Sequence, residues 1–140
     1  MKVKDVMLEE IPKLSRNDGL LKAVGLFSAF DLDIIPVVDE DNNYIGVVRK
    51  RDLIWPFLSF LEEDTERGIS VVMDYPSIYL IDDVMEWDYP SVEGEKDIAT
   101  AIGMMEAESL EAIPVVEEGR LIGILTNSII LNLFFPETPS

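Results

Sequence analysis

The side chains able to do chemistry in this sequence are few in kind. There are 28 Asp and Glu, 11 Lys and Arg and four Tyr, with neither His nor Cys. Without thiol or imidazole there can be no disulfide, Cys/His zinc site, cysteine nucleophile or Ser-His-Asp triad, so general acid–base work would fall to carboxylates, Lys or Tyr. No nucleophile paired with a base is legible, and the chain is expected not to be an enzyme. The cations that stand out are Arg49-Lys50-Arg51, followed at once by Asp52, in a chain of formal net charge −17. Residues 1–70 hold 9 basic and 14 acidic side chains, and residues 71–140 hold 2 and 14. A nucleic-acid groove needs clustered Lys and Arg and is not expected here; the acidic surface serves solubility. Asp39-Glu40-Asp41 and Asp82-Asp83 carry the oxygen ligands that Mg²⁺ or Ca²⁺ favours, but EF-hand spacing is missing, and they read as solvated carboxylates rather than a metal site.

Elements must position these groups, and 140 residues that are 48% hydrophobic can bury a core. No apolar stretch approaches the ~20 residues of a membrane span. The opening Met1-Lys2-Val3-Lys4-Asp5-Val6 lacks the apolar middle of a secretory signal, so a soluble cytoplasmic protein is expected.

The chain repeats itself. Shifted by 78, residues 3–38 fall on 81–116 without a gap, and 12 of those 36 positions are identical. Asp5-Val6-Met7 meets Asp83-Val84-Met85, Pro12 meets Pro90, and Ile35-Pro36-Val37-Val38 meets Ile113-Pro114-Val115-Val116. One residue is then lost, so that Ile45-Gly46 meets Ile122-Gly123.

Each copy reads as strand, helix, strand, strand, helix. Residues 10–14 suit a short edge strand around Pro12, and Ser15–Asp18 supplies turn and cap residues. Leu20, Val24 and Phe27, matched by Ile98, Ile102 and Met105, mark one helical face. Gly25 and Gly103 fall mid-helix, where close approach to a sheet would account for them. Ile34–Val38 and Tyr44–Val48 form a hairpin across Asp39–Asn43, and Ala112–Val116 and Leu121–Leu125 repeat it. Second helices are expected over 51–61, with Pro56 in its first turn, and over 128–134. The division is thus 1–61, a linker over 62–80, 81–135, and a frayed tail over 136–140. Ile69–Met73 in the linker is apolar enough to pack, as helix or strand.

Val6-Met7 and Val84-Met85 at the openings, the two Ile-Pro-Val-Val strands, and Gly46 and Gly123 together resemble a tandem pair of CBS domains, a Bateman module. The likeness covers residues 3–61 and 81–134. It implies an α+β fold of two β-α-β-β-α units related by a pseudo-twofold axis, with two equivalent clefts. In similar proteins such clefts take AMP, ADP, ATP or S-adenosylmethionine as regulatory ligands, with no cofactor required. Similar modules also form homodimers and modulate a partner or effector protein. The excess of aromatics near the second helices, Trp55, Phe57, Phe60, Phe134 and Phe135 with Trp87, fits an interface.

The family's ribose-phosphate motif runs from the strand Gly through a Thr or Ser to an Asp. The resemblance implies that the carboxylate accepts ribose hydroxyls and that a hydroxyl or cation meets phosphate at the helix start. The first copy, Gly46-Val47-Val48-Arg49-Lys50-Arg51-Asp52, keeps the Asp but has Arg49 for the hydroxyl. The second, Gly123-Ile124-Leu125-Thr126-Asn127-Ser128-Ile129, keeps Thr126 but has Ile129 for the Asp, and is expected to bind ribose poorly. One adenosine site is therefore expected, drawing on Asp52, Arg49, Lys50, Arg51 and Thr126. Ile11, Lys13, Ile34, Ile35 and Pro36 line the base pocket by the same resemblance. The plainer alternatives are that Asp52 only begins a helix, that Ile35 is core, and that the module is a non-binding scaffold with degenerate motifs.

Overall fold

The computed structural model describes residues 1–56, 58 and 78–136. Helix α1 spans Leu20–Ala29, strand β1 Ile34–Val38 and β2 Tyr44–Arg49, followed by a 3₁₀ turn Lys50–Leu53. The second repeat brings a short helix α2 (Ile81–Val84), β3 (Val92–Glu93), α3 (Ile98–Ala107), β4 (Ala112–Glu117), β5 (Arg120–Thr126) and α4 (Asn127–Phe134). Strands β1 and β2 form one sheet, and β3, β4 and β5 another in that order. Both hairpins thus form where β-branched runs flank turn residues. The expected linker run Ile69–Met73, residues 59–61 of the expected helix, Phe57, Phe60 and the tail beyond Pro136 lie outside the described residues.

The compact units are not the sequence repeats. One gathers Met1–Ile11, Asp41–Tyr44 and Pro90–Ser140, and the other Pro12–Glu40 and Ile45–Tyr89. The opening segment of each repeat therefore folds with the sheet of the other. In the β3–β5 unit, Val3 N–H donates to Lys96 O at 2.9 Å and Leu8 pairs with Ile124. In the β1–β2 unit, Ile81 N–H donates to Asp18 O at 2.8 Å and Glu86 pairs with Val47, the same bonds displaced by one repeat. The Val-Met signature gains its reason here. Val84 and Met85 are buried with Leu20, Ile35, Val37 and Val48, while Val6 and Met7 pack on the core of Val92, Ile113, Val115 and Leu125.

Crossing of that opening segment over the third strand of each repeat explains the glycine there. A Cβ on Gly46 would lie 2.3 Å from Glu86 O, and one on Gly123 would lie 2.8 Å from Leu8 O. Space for a side chain is absent at both.

Several expectations change, beginning with the helix expected over 51–61, whose start is the 3₁₀ turn Lys50–Leu53. The edge strand of the first repeat shrinks to one parallel bridge, Leu14 to Val37, matching Val92 to Val115 in β3 and β4. Gly19 rather than a side chain within Ser15–Asp18 occupies the N-cap of α1; Asp18 instead accepts from Ser15 N–H at 2.7 Å. On α1 the buried face is Leu20 and Ala23 with Leu26 and Phe27 beside them, whereas Val24 is 45% exposed.

Gly25 and Gly103 are exposed, and a Cβ on either would meet nothing within 4 Å. Close approach to a sheet is thus not their reason, and nothing in the structure explains them. Gly25→Ala and Gly103→Ala are each expected to raise stability by about 0.5–1 kcal/mol, since Ala restricts the unfolded chain and favours the helix. Urea unfolding of each variant measures this.

Candidate functional site

Strand β2 ends at Arg49, and the 3₁₀ turn that follows carries Asp52 back toward it. Asp52 Oδ2 accepts the Arg49 backbone N–H at 2.8 Å, satisfying a donor that the start of a helical turn leaves free. In the second repeat the other half of the same capping arrangement survives: Thr126 Oγ1 accepts Ile129 N–H at 3.1 Å and caps α4. The two incomplete motifs are therefore each a working cap. Ile129, in place of the Asp, packs against the β3–β5 core.

Asp52 is 6% exposed, the one buried charged side chain among the described residues. Burial, and then a hydrogen bond with Glu86, push its carboxyl up to about 7, against the lowering effect of the Arg49 N–H. Two carboxylates share a hydrogen bond only if one of them carries the proton. Burial alone would raise Glu86 too, but hydrogen bonds from Arg49 and Asp52 outweigh it and hold Glu86 below the usual carboxylate range. Glu86 is therefore the stronger acid of the two, and Asp52 the one raised toward neutral pH.

Glu86 comes from the opening segment of the second repeat. Its backbone is fixed by Val47 N–H to Glu86 O at 3.0 Å and Glu86 N–H to Val47 O at 2.8 Å. That register puts its carboxylate against the Arg49 guanidinium in a two-pronged pair. Arg49 Nη2 donates to Oε1 at 2.5 Å and Nε donates to Oε2. The Arg49 guanidinium also lies 5.7 Å from the Tyr89 ring centroid.

The other expected site residues are distributed as follows. Lys50 and Arg51 are exposed, with Lys50 Nζ 5.9 Å from the Phe27 ring centroid. Ile34 and Ile35 are buried at 1% and 0% exposure, with Ile35 in the core of the β1–β2 unit. Pro36 is buried and its carbonyl accepts Leu14 N–H at 2.9 Å, so that group is engaged in pairing. Lys13 is exposed in the same unit, while half-buried Ile11 and Thr126 belong to the β3–β5 unit. A groove of about 270 Å³ in that unit, floored by Ile102, Met105, Leu110 and Ile130 with Asn127 and Glu106 also lining it, contains none of them. Glu86 and Tyr89 were not among the residues the motif singled out. The signal was available: at the shift of 78, Glu86 stands opposite Leu8, a charge where the first copy is apolar.

Comparison with known proteins agrees with this architecture. The CBS domain family model matches residues 3–56 and 81–135, and the chain belongs to the CBS domain family as a tandem pair. Among curated relatives, inosine-5'-monophosphate dehydrogenase of Methanocaldococcus jannaschii is 25% identical over 89% of this chain, and the YlbB protein of Bacillus subtilis 29% identical over 89%. The chain spans 22% of the first relative and 76% of the second. Among solved structures, a putative acetoin utilization protein (AcuB) from Vibrio cholerae shares 26% identity at TM-score 0.78, over 97% of this chain and 91% of its own. CBSX2 in complex with AMP shares 21% at TM-score 0.75, over 96% of each chain. The CBS domain pair of MJ0100, holding 5'-methylthioadenosine and S-adenosyl-L-methionine, shares 17% at TM-score 0.74, over 99% of this chain and 98% of its own. Among the described residues no helix is long and apolar enough to cross a membrane.

Proposed function

We propose that this CBS pair is a regulatory module that binds an adenosine ligand at the turn following β2 and passes its occupancy to a partner protein in the cytoplasm, without catalysis of its own. Support comes from family membership and from two proteins of the same fold that hold AMP, or methylthioadenosine with S-adenosylmethionine. The observation that carries the reading is Asp52, a buried carboxyl group held at the motif position by the Arg49 N–H. Buried carboxyls so far from their ordinary titration range collect at functional sites. Ribose hydroxyls would take the place of Glu86 as its partner. Ligand at 100 times its dissociation constant adds about 2.7 kcal/mol, or several degrees of melting temperature. A thermal-shift series with AMP, ADP, ATP and S-adenosylmethionine should show that rise with at least one ligand, and Asp52→Asn, which keeps the Arg49 cap, should lose it. No rise, or an unchanged rise in Asp52→Asn, overturns the reading.

A homodimer is part of the same proposal. The closing segments of both repeats expose apolar side chains at matched positions, Ile54 at 63% with Leu131 at 56%, and Leu58 with Phe135 each at 59%. A second copy would cover them. Light scattering is expected to give twice the chain mass, falling to one chain mass in Leu131→Lys with Phe135→Lys.

A further inference from the structure

Resting on the function proposed above, we infer that Glu86 sets the charge of the ligand: by occupying the Arg49 guanidinium it selects adenosine compounds with a neutral or cationic 5' group over those bearing phosphate. The resemblance places Arg49 where a phosphate-side donor belongs, yet two of its N–H groups are already spent on one carboxylate. The Glu86 backbone is fixed by a pair of bonds to Val47, which keeps that carboxylate within reach of Arg49. The Glu86 side chain is 28% exposed and that of Arg49 26%, so this half-buried pair is less screened than a surface one. A phosphate brought to Arg49 must expel an anion or sit beside it. A thioether meets no such repulsion, and a sulfonium is attracted to the same carboxylate. Arg51 adds some attraction at Glu86, but Lys50 and Arg51 are both exposed, the former with its ammonium over Phe27, and their charge is screened by solvent. The net charge of −17 adds to the bias against polyphosphate.

The comparison inside the chain supplies the control, since Leu8 holds the corresponding position and makes the corresponding backbone bonds with Ile124. Calorimetric titration of the full chain with 5'-methylthioadenosine, S-adenosylmethionine, AMP and ATP, at one salt concentration, tests the inference in wild type, Glu86→Gln and Glu86→Leu. Wild type is expected to bind the two phosphate-free ligands at least tenfold more tightly than AMP. Both variants should shift the AMP to 5'-methylthioadenosine affinity ratio about tenfold toward AMP, a ratio in which any change that loss of Glu86 makes at Asp52 cancels. AMP binding wild type as tightly as 5'-methylthioadenosine, or an unchanged ratio in both variants, overturns the assignment to Glu86 while leaving the adenosine site standing. Absence of binding by all four ligands to all three proteins removes the site itself.

Discussion

Gly46→Ala is expected to lower stability by about 3 kcal/mol, the upper part of the range for forcing a methyl group into a filled space. The new Cβ would lie 2.3 Å from the Glu86 carbonyl oxygen and 3.2 Å from its carbon, both backbone atoms, with Met85 Cε at 2.8 Å. Relief requires the opening segment of the second repeat to lift from β2. That motion breaks the two Val47–Glu86 hydrogen bonds and draws Val84 and Met85 from the core they help to fill. Gly123→Ala should cost less, because Met7 Sδ at 2.6 Å can swing aside and Leu8 O, at 2.8 Å, needs a smaller backbone shift than Glu86 O does. Thermal melts should place Gly46→Ala roughly 10 °C below wild type, Gly123→Ala between them, and Gly25→Ala slightly above. Equal melting of Gly46→Ala and wild type would mean that the opening segment does not cross β2 as described.

The order of those variants marks what the sequence makes legible. Repetition, hairpins and the helix at residues 98–107 are local patterns: β-branched runs, turn residues and apolar spacing lie within a few positions of one another. Gly25 and Gly46 look alike on that scale, each a glycine inside an element. They differ only through what lies against them, nothing for one and a backbone carbonyl 40 residues away for the other. Pairing of each opening segment with the other repeat's sheet is likewise invisible to local pattern, although the Val-Met duplication advertised that the segment matters. The site divides in the same way. Asp52 and Arg49 are legible because a seven-residue motif contains both; Thr126 is legible only as that motif's hydroxyl, not as the cap it provides for α4. Glu86 arrives 37 positions after Arg49, and its meeting with that guanidinium follows from the register with Val47 rather than from any spacing in the motif.

Burial of Asp52 beside Glu86 is expected to give the protein a pH response that Asp52 dominates between pH 5 and 8. Unfolded, an Asp titrates near 3.9; folded, burial and the hydrogen bond with Glu86 raise Asp52 to about 7. The folded chain therefore binds more protons than the unfolded one through this interval, and linkage requires stability to fall as pH rises. The contribution is fully present below about pH 4 and is lost on passing 7. Glu86 works with the opposite sign: held low chiefly by Arg49 against its own burial, it loses its contribution as pH falls below the ordinary carboxylate range. The two windows scarcely overlap, so the slope above pH 5 belongs to Asp52. Asp52→Asn isolates it, since an amide oxygen still accepts Arg49 N–H and the amide N–H₂ donates to Glu86 as the protonated acid does. Denaturant unfolding at pH 5 and at pH 8 should find wild type losing on the order of 2 kcal/mol more than Asp52→Asn over that interval, because the shared background of surface carboxylates cancels in the difference. Parallel losses in the two proteins would show that Asp52 is ionised in the folded chain, and that its carboxylate is not enclosed with Glu86.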